Sequence, residues 1–271
     1  MRDLDRAIGF YTEGLGLRLQ GREGNVARLG AWNSELLVLV GAPGAAKPRG
    51  TTGLYHFALL VPSRRDLARS LRHLIARRVS LSGMSDHSVS ESLYLSDPDG
   101  NGIEIYRDRP REEWPIVDGQ LRMTTDPLDV KSLLAENGPM DAPQAGLPSG
   151  TRMGHVHLHV AHLADSERFY SEILGFELRQ RFGRTALFLA AGGYHHHIGL
   201  NTWAGVGAPP PPPGALGLRH FEVLLPDTGT VDGILKRLRA AGVPVTEAPG
   251  GGEAADPSGN AVRLLAQPQS K

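Results

Sequence analysis

Histidines occur in two short runs whose spacing suits metal chemistry. His155, His157 and His159 alternate within the apolar stretch 154–160, and alternate residues of a β-strand share one face. Three further histidines follow one another at 195–197. A single buried histidine is usually satisfied by hydrogen bonds, whereas several imidazoles facing one interior favour a metal or a polar ligand.

The second histidine run lies in a stretch that also has the character of a strand. Residues 194–200 predict a short β-strand, on which His195 and His197 would share a face and His196 would point the opposite way,. Both runs could therefore present pairs of imidazoles to a common interior.

Glu104 is a carboxylate in the middle of an apolar strand, between Ile103 and Ile105. If it faces the interior, it must be paired, protonated or bound to a metal. If the two isoleucines face the core instead, Glu104 faces solvent. The alternation of the strand does not choose between these arrangements.

Composition restricts the chemistry that these residues can perform. The chain has no cysteine, so any metal must rest on His, Asp or Glu, and disulfides and thiolate nucleophiles are excluded. The 29 basic and 29 acidic residues give a net charge of +0, so no overall field attracts nucleic acid or anionic lipid. No apolar run approaches the roughly 20 residues that span a bilayer. We expect no secretory signal, because the sequence does not open with a basic stretch followed by an apolar one,. We expect a cytoplasmic protein with neither nucleic acid nor membrane as a partner.

Two unrelated motifs repeat at one spacing. The Phe-Tyr pair that ends at Tyr11 recurs at Tyr170, 159 residues later, each time followed by a Leu-Gly step. The turn sequence that begins at Asp97 with Asp-Pro-Asp-Gly-Asn recurs at Asp256 as Asp-Pro-Ser-Gly-Asn, again 159 residues later. The shared offset indicates duplication of one half of the chain.

Each half contains two modules that predict the order strand, amphipathic helix and three short strands, or βαβββ. The four modules span 1–42, 51–108, 152–204 and 214–267. Apolar first strands are predicted at 54–61, 154–160 and 218–225, and a helix at 165–174. Module one has no counterpart of the first strand. The segment 109–151 connects the halves and carries one helical stretch, from Asp129 to Glu136.

With these elements in place, the sequence resembles the vicinal oxygen chelate superfamily, which includes glyoxalase I, bleomycin- and fosfomycin-resistance proteins and extradiol ring-cleaving dioxygenases. The likeness covers nearly the whole chain and is strongest to the catechol-2,3-dioxygenase type with four modules. The stretches that carry it are Gly53-Leu54-Tyr55-His56-Phe57-Ala58, 85–91 together with 94–104, and 193–201. The resemblance implies an α+β fold in which four βαβββ modules form two open mixed β-barrels flanked by helices.

The resemblance also implies a metal site. Its ligands would be His56 and Glu104 of module two and His155, on the first strand of module three. The implied ion is Fe(II), and Mn(II) can use the same ligands.

Three more residues match positions that act in catalysis in this family. Tyr94, ten residues before the glutamate, resembles the active-site tyrosine, and His87 resembles a histidine that lines the pocket. His197 resembles the histidine that transfers protons to and from dioxygen and substrate.

The implied ligands belong to modules two and three, which lie in different halves of the duplication. We therefore expect modules two and three to form one barrel and modules one and four to form the other. The alternative pairs one with two and three with four. It requires a histidine upstream of Met1 and leaves His155 and the histidine run 195–197 unexplained.

The function implied by the resemblance is an Fe(II)-dependent extradiol ring-cleaving dioxygenase that acts on catechol or a related aromatic diol, with dioxygen as the second substrate. Assembly into a homo-oligomer is left open. The first alternative is a glyoxalase-like metal-dependent isomerase or transferase, which usually adds a fourth protein ligand. The second is a metal-free resistance protein that sequesters its ligand in an apolar groove.

Overall fold

A computed structural model describes residues 1–136 and 146–267. Residues 137–145 of the predicted connecting segment 109–151 lie outside the described residues. The chain forms two compact units. The first contains Met1–Lys47, His56–His155 and Gly214–Leu216, and the second contains Pro48–Tyr55, Val156–Pro213 and Gly217–Lys271.

The helices are short and few. The α-helices of the described residues are α1 (Leu4–Gly9), α2 (Arg64–Ala76), α3 (Val130–Ala135), α4 (Leu163–Glu167) and α5 (Thr228–Ala240). Single π-helical turns, Phe10–Gly14 and Arg168–Ile173, continue α1 and α4, and a 3₁₀ turn occupies Arg111–Glu113. None of the helices in the described ranges is long and apolar enough to cross a membrane.

Most of the regular structure is β-sheet. The strands of the described residues are β1 (Arg18–Glu23), β2 (Val26–Ala31), β3 (Ser34–Val40), β4 (Gly53–Leu60), β5 (Leu81–Asp86), β6 (Ser90–Ser96), β7 (Gly102–Asp108), β8 (Ile116–Val117), β9 (Gln120–Leu121), β10 (Asp126–Pro127), β11 (Arg152–His159), β12 (Glu177–Phe182), β13 (Ala186–Ala190), β14 (Ile198–Asn201), β15 (Phe221–Leu225), β16 (Thr246–Ala248), β17 (Gly251–Ala255) and β18 (Ala261–Ala266).

Three modules follow the βαβββ order. In module two, β4 runs parallel to β7, while β5, β6 and β7 pair antiparallel. Module three repeats this pattern with β11 parallel to β14, and module four with β15 parallel to β18. Module one contributes α1 and the antiparallel strands β1 to β3. The predicted α+β class with mixed sheets is confirmed.

In modules two, three and four the first strand lies at one end of the module's strand order, next to the module's last strand. In the first unit the order is β10-β5-β6-β7-β4, and the beginning of β11 lies next to β4. The second unit contains the orders β11-β14-β13-β12 and β15-β18-β17-β16.

The helix ends follow from local sequence. Ser63 caps α2 by accepting a hydrogen bond from the N–H of Asp66, and the helix buries Leu67, Leu71 and Leu74,. The helix predicted from Asp129 to Glu136 is confirmed as α3, because Asp129 caps it and Glu136 ends it. The helix predicted at 165–174 is divided between α4 and the π-helical turn that follows.

Two predicted strands are shorter than expected. The strand predicted at 218–225 begins only at Phe221, and the one predicted at 194–200 begins only at Ile198. Gly192 and Gly193 both have positive φ angles, 62° and 66°, and turn the chain ahead of β14,. The prediction that the histidines 195–197 alternate on a strand is therefore wrong.

The two motifs that repeat in the sequence contact each other in each unit. In the first unit the buried hydroxyl of Tyr11 donates to Asp97 at 2.8 Å, and in the second unit Tyr170 donates to Asp256 at 3.1 Å. Each aspartate also accepts backbone N–H groups of the turn that it begins. The two repeated motifs are therefore the two partners of one hydrogen bond.

Candidate metal centre

Three buried side chains converge in the first unit. Nε2 of His56 and Nε2 of His155 each lie 3.0 Å from Oε2 of Glu104, and the two nitrogens lie 3.2 Å from each other. The residues are 6%, 4% and 2% exposed, in the order His56, His155 and Glu104. In the part of the chain that the structure describes, these three form the group of potential ligands close enough to hold one metal ion.

The nearly equilateral spacing of these atoms fits three ligands on one face of an octahedral ion. Two ligands at right angles and about 2.1 Å from a small divalent ion lie roughly 3 Å apart. The observed spacings of 3.0, 3.0 and 3.2 Å agree with this value. Two histidines and one carboxylate on one face form the facial triad of non-haem iron oxygenases, which leaves the remaining positions open.

The strand register brings the ligands of module two together. His56 lies on β4 opposite Gly102 of β7, and Glu104 follows two residues later on β7. Glu104 also lies opposite Tyr94 of β6. Its carboxylate is therefore turned to the interior of the first unit, which answers the question that alternation left open.

The carboxylate of Glu104 is held in its ionised form. Burial by itself would raise the pKa of Glu104, but the charges and hydrogen bonds of His155 and His56 lower that pKa well below its usual range,. The hydroxyl of Ser92, which is fully buried, donates to Oε1 of Glu104 at 2.6 Å. This bond occupies one carboxylate oxygen and leaves Oε2 directed at the two imidazoles.

The ring of His155 is positioned by a close packing partner. The rings of Tyr106 and His155 lie 5.0 Å apart between centroids. Gly154 makes this approach feasible, because a Cβ at that position would lie 2.0 Å from the Tyr106 hydroxyl,.

Tyr94 and His87 form a hydrogen-bonded pair beside the candidate ligands. Nε2 of His87 lies 2.7 Å from the Tyr94 hydroxyl, and the ring of Tyr94 lies 5.7 Å from that of His56. Nδ1 of His87 lies 2.6 Å from the backbone oxygen of Thr124. The structure thus brings both residues together with His56 and Glu104.

The other histidines of the two runs belong to the second unit. His157 packs against the rings of Tyr55 and Trp203. His197 is half-buried, and its Nδ1 accepts the N–H of Ala191 at 3.2 Å. The adjacent His195 is fully buried.

Three residues that support the site were not predicted. Ser92 could have been found from its position two residues before Tyr94, which puts both side chains on one face of a strand. Tyr106 is likewise two residues beyond Glu104 on β7. Thr124 carries no such signal, because its contact with His87 joins residues far apart in sequence.

The sequence of this chain matches the Glyoxalase/Bleomycin resistance protein/Dioxygenase superfamily over residues 1–105 and 152–264. The chain belongs to this superfamily, as the sequence resemblance predicted.

Relatives narrow the class of protein further. The chain is 44% identical over 252 residues to the catechol-2,3-dioxygenase of Bacillus subtilis (strain 168), covering 91% of this chain and 87% of that protein. It is 29% identical over 116 residues to biphenyl-2,3-diol 1,2-dioxygenase 2 of Rhodococcus globerulus, covering 39% and 61%. The prediction that the chain is a catechol-2,3-dioxygenase-like enzyme is confirmed.

Solved structures agree on the fold. A putative dioxygenase from Bacillus subtilis superposes with a TM-score of 0.64 at 14% identity, covering 98% of this chain and 82% of that one. Glyoxalase I from Zea mays superposes with a TM-score of 0.57 at 18% identity, covering 98% and 89%. The predicted glyoxalase/dioxygenase fold is confirmed.

Proposed function

We propose that this chain is an Fe(II)-dependent extradiol dioxygenase that cleaves the ring of catechol or a related aromatic diol. The observation that carries the proposal is the triangle of ligand atoms from His56, Glu104 and His155, with sides of 3.0, 3.0 and 3.2 Å. The similarity of this chain to a catechol-2,3-dioxygenase supports an aromatic diol as the substrate class.

The proposed reaction inserts both atoms of dioxygen into the diol. The ring bond between one hydroxyl-bearing carbon and the adjacent carbon without a hydroxyl breaks. Catechol thereby becomes a hydroxymuconic semialdehyde, and no other oxidant or reductant is needed. The bound metal would supply Lewis acidity toward the diol and a position for dioxygen next to it.

The protein residues supply the holding and proton-transfer groups. His56, Glu104 and His155 would hold the ion on one face and leave the other face to the reactants. Tyr94 would form a hydrogen bond with a substrate oxygen, and His87 would fix the orientation of Tyr94. The role of His197 in proton transfer remains a prediction.

Pairing of modules two and three is part of the same proposal. It is supported by the sheet order, in which the beginning of β11, the first strand of module three, lies next to β4, the first strand of module two. An experimental structure that paired module one with two and module three with four around separate centres would contradict it.

Anaerobic reconstitution tests the activity. Purified protein is loaded with Fe(II) without oxygen, catechol is added, and air is then admitted. We expect a yellow ring-fission product and uptake of one dioxygen per catechol. Reconstitution with Mn(II) in parallel identifies the preferred ion. A metal-loaded protein that consumes no oxygen with catechol or substituted catechols would refute the proposal, and turnover of a glutathione hemithioacetal instead would support the glyoxalase-like alternative.

Ligand variants test the site separately from the substrate. We expect His56→Ala, Glu104→Ala and His155→Ala each to lose bound iron. His157→Gln is the matched control, because His157 lies on the same strand as His155 and is equally buried. Full iron occupancy in any of the three alanine variants, or equal loss in the control, would show that the ligands are wrongly assigned. A native protein that binds no metal would favour the ligand-sequestering alternative.

A further inference from the structure

The turn that carries His87 is held in an unusual conformation. It joins β5 to β6 and is closed by a hydrogen bond from the N–H of His87 to the carbonyl of Ser90, at 2.8 Å. Asp86 accepts the N–H of Ser88 at 2.9 Å. Ser88 has a φ angle of 65°, in the left-handed region that few residues other than glycine adopt,. Such a conformation persists where the surrounding contacts enforce it.

One residue of the connecting segment makes three hydrogen bonds to this turn. The N–H of Thr124 donates to the carbonyl of His87 at 3.2 Å. The hydroxyls of Thr124 and Ser88 lie 2.8 Å apart, and the carbonyl of Thr124 lies 2.6 Å from Nδ1 of His87. Two residues later, Asp126 pairs with Asp86 in the β10–β5 ladder. The segment between the halves therefore holds the turn that carries His87, in addition to connecting the modules.

The contact with the Thr124 carbonyl fixes the position of a proton. A carbonyl oxygen only accepts hydrogen bonds, so Nδ1 of His87 must be the donor. In a neutral imidazole the other nitrogen, Nε2, is then an acceptor. The partner of Nε2 is the Tyr94 hydroxyl at 2.7 Å, so that hydroxyl donates its proton to His87.

We propose that Thr124 is a positioning residue that fixes the Nδ1–H tautomer of His87 and thereby makes the oxygen of Tyr94 a hydrogen-bond acceptor toward the substrate. Because the Tyr94 hydroxyl donates its proton to His87, its oxygen can only accept a hydrogen bond from a ligand. The substrate group that meets Tyr94 is consequently a hydroxyl that still carries its proton. This inference rests on the proposed function for the identity of the substrate, but the tautomer itself does not depend on turnover.

Nitrogen NMR measures the tautomer directly. The full-length protein is labelled with ¹⁵N-histidine and loaded with Zn²⁺, which is diamagnetic, at a pH where free histidine is neutral. The signals of His87 are assigned by their loss in His87→Gln. We expect a protonated Nδ1 and an unprotonated Nε2. A protonated Nε2, or rapid averaging of the two tautomers, would overturn the proposal whether or not the protein cleaves catechol.

Variants of the hydroxyl contact test the part played by Thr124. Thr124→Val and Ser88→Ala remove the same hydrogen bond from opposite sides. Each should increase the fraction of the Nε2–H tautomer and lower kcat on catechol by roughly three- to tenfold, the usual value of one such bond, without loss of bound iron. Because both remove one interaction, the double variant should be no worse than either single one.

The control is Thr125→Val, which makes the same exchange at an exposed neighbouring position. We expect its tautomer and kcat to match the native protein. Additive effects of Thr124→Val and Ser88→Ala, or an unchanged tautomer in both, would refute the role of Thr124. A fixed tautomer in a metal-loaded protein that consumes no oxygen with catechol or substituted catechols would instead refute the proposed function alone.

Discussion

Replacing Ser92 by alanine removes the hydroxyl that donates to Oε1 of Glu104 over 2.6 Å. Ser92 is fully buried, so bulk solvent does not compete for its hydrogen bond to Glu104. The change deletes one oxygen atom and leaves the strand β6 and its pairing with β7 intact. Its effect should therefore be confined to the carboxylate.

The size of the effect follows from the kind of bond. A hydrogen bond to a charged group contributes about 1.5–3 kcal/mol net, and about 1.4 kcal/mol corresponds to a tenfold change in an equilibrium constant. Residues that orient metal ligands typically change metal affinity about 10–100-fold when removed. Because Ser92 is buried and its bond to Glu104 is short, we expect Ser92→Ala to weaken metal binding about 10–100-fold.

Competition with a chelator under anaerobic conditions measures the affinity for Fe(II). The matched control is Ser90→Ala, because Ser90 is also buried and lies on the same face of β6. The control should bind the metal like the native protein, and circular dichroism should show that both variants are folded. An affinity of Ser92→Ala within twofold of the native value would refute the argument that this bond supports the site.

Two further groups of variants test the framework around the site. We expect Tyr11→Phe and Tyr170→Phe each to lower the free energy of unfolding by about 1.5–3 kcal/mol, the value of a hydrogen bond to a charged group, as measured by urea unfolding; values below 0.5 kcal/mol would contradict this. Burial and the charge of Asp97 raise the pKa of Tyr11 well above its usual value, so its contribution to stability is complete below the unfolded pKa of about 10 and is lost as the pH rises toward the folded pKa. The native protein should therefore lose more stability above pH 10 than Tyr11→Phe does. Glu91→Gln leaves the buried guanidinium of Arg107, now 2.6 Å from a carboxylate oxygen, without its ionic partner and should cost about 3–5 kcal/mol; an unfolding midpoint equal to the native one would refute this.

The order of elements could be predicted from the sequence because its signals are local. Asp129 begins α3 where the sequence predicts a helical stretch. The first strand of module two is largely apolar on both faces, which is typical of strands buried between layers,. The first strand of module three alternates apolar residues with histidines. The prediction of a strand at 194–200 was wrong about where the strand begins, and the reason is also local. Two glycines in left-handed conformation turn the chain before Ile198.

The sequence by itself determined which residue types are available for chemistry and the family to which the chain belongs. The absence of cysteine, the strand histidines and the repeated motifs are properties of the sequence alone. The family resemblance already named Glu104 and His155, but strand alternation left the direction of Glu104 open, and only the tertiary structure decided that Glu104 turns inward beside His155. The physical reason is that a period of two specifies two faces of a strand but does not say which face is buried or what lies opposite. Strand pairing answers that question, and it joins residues as distant as His56 and His155.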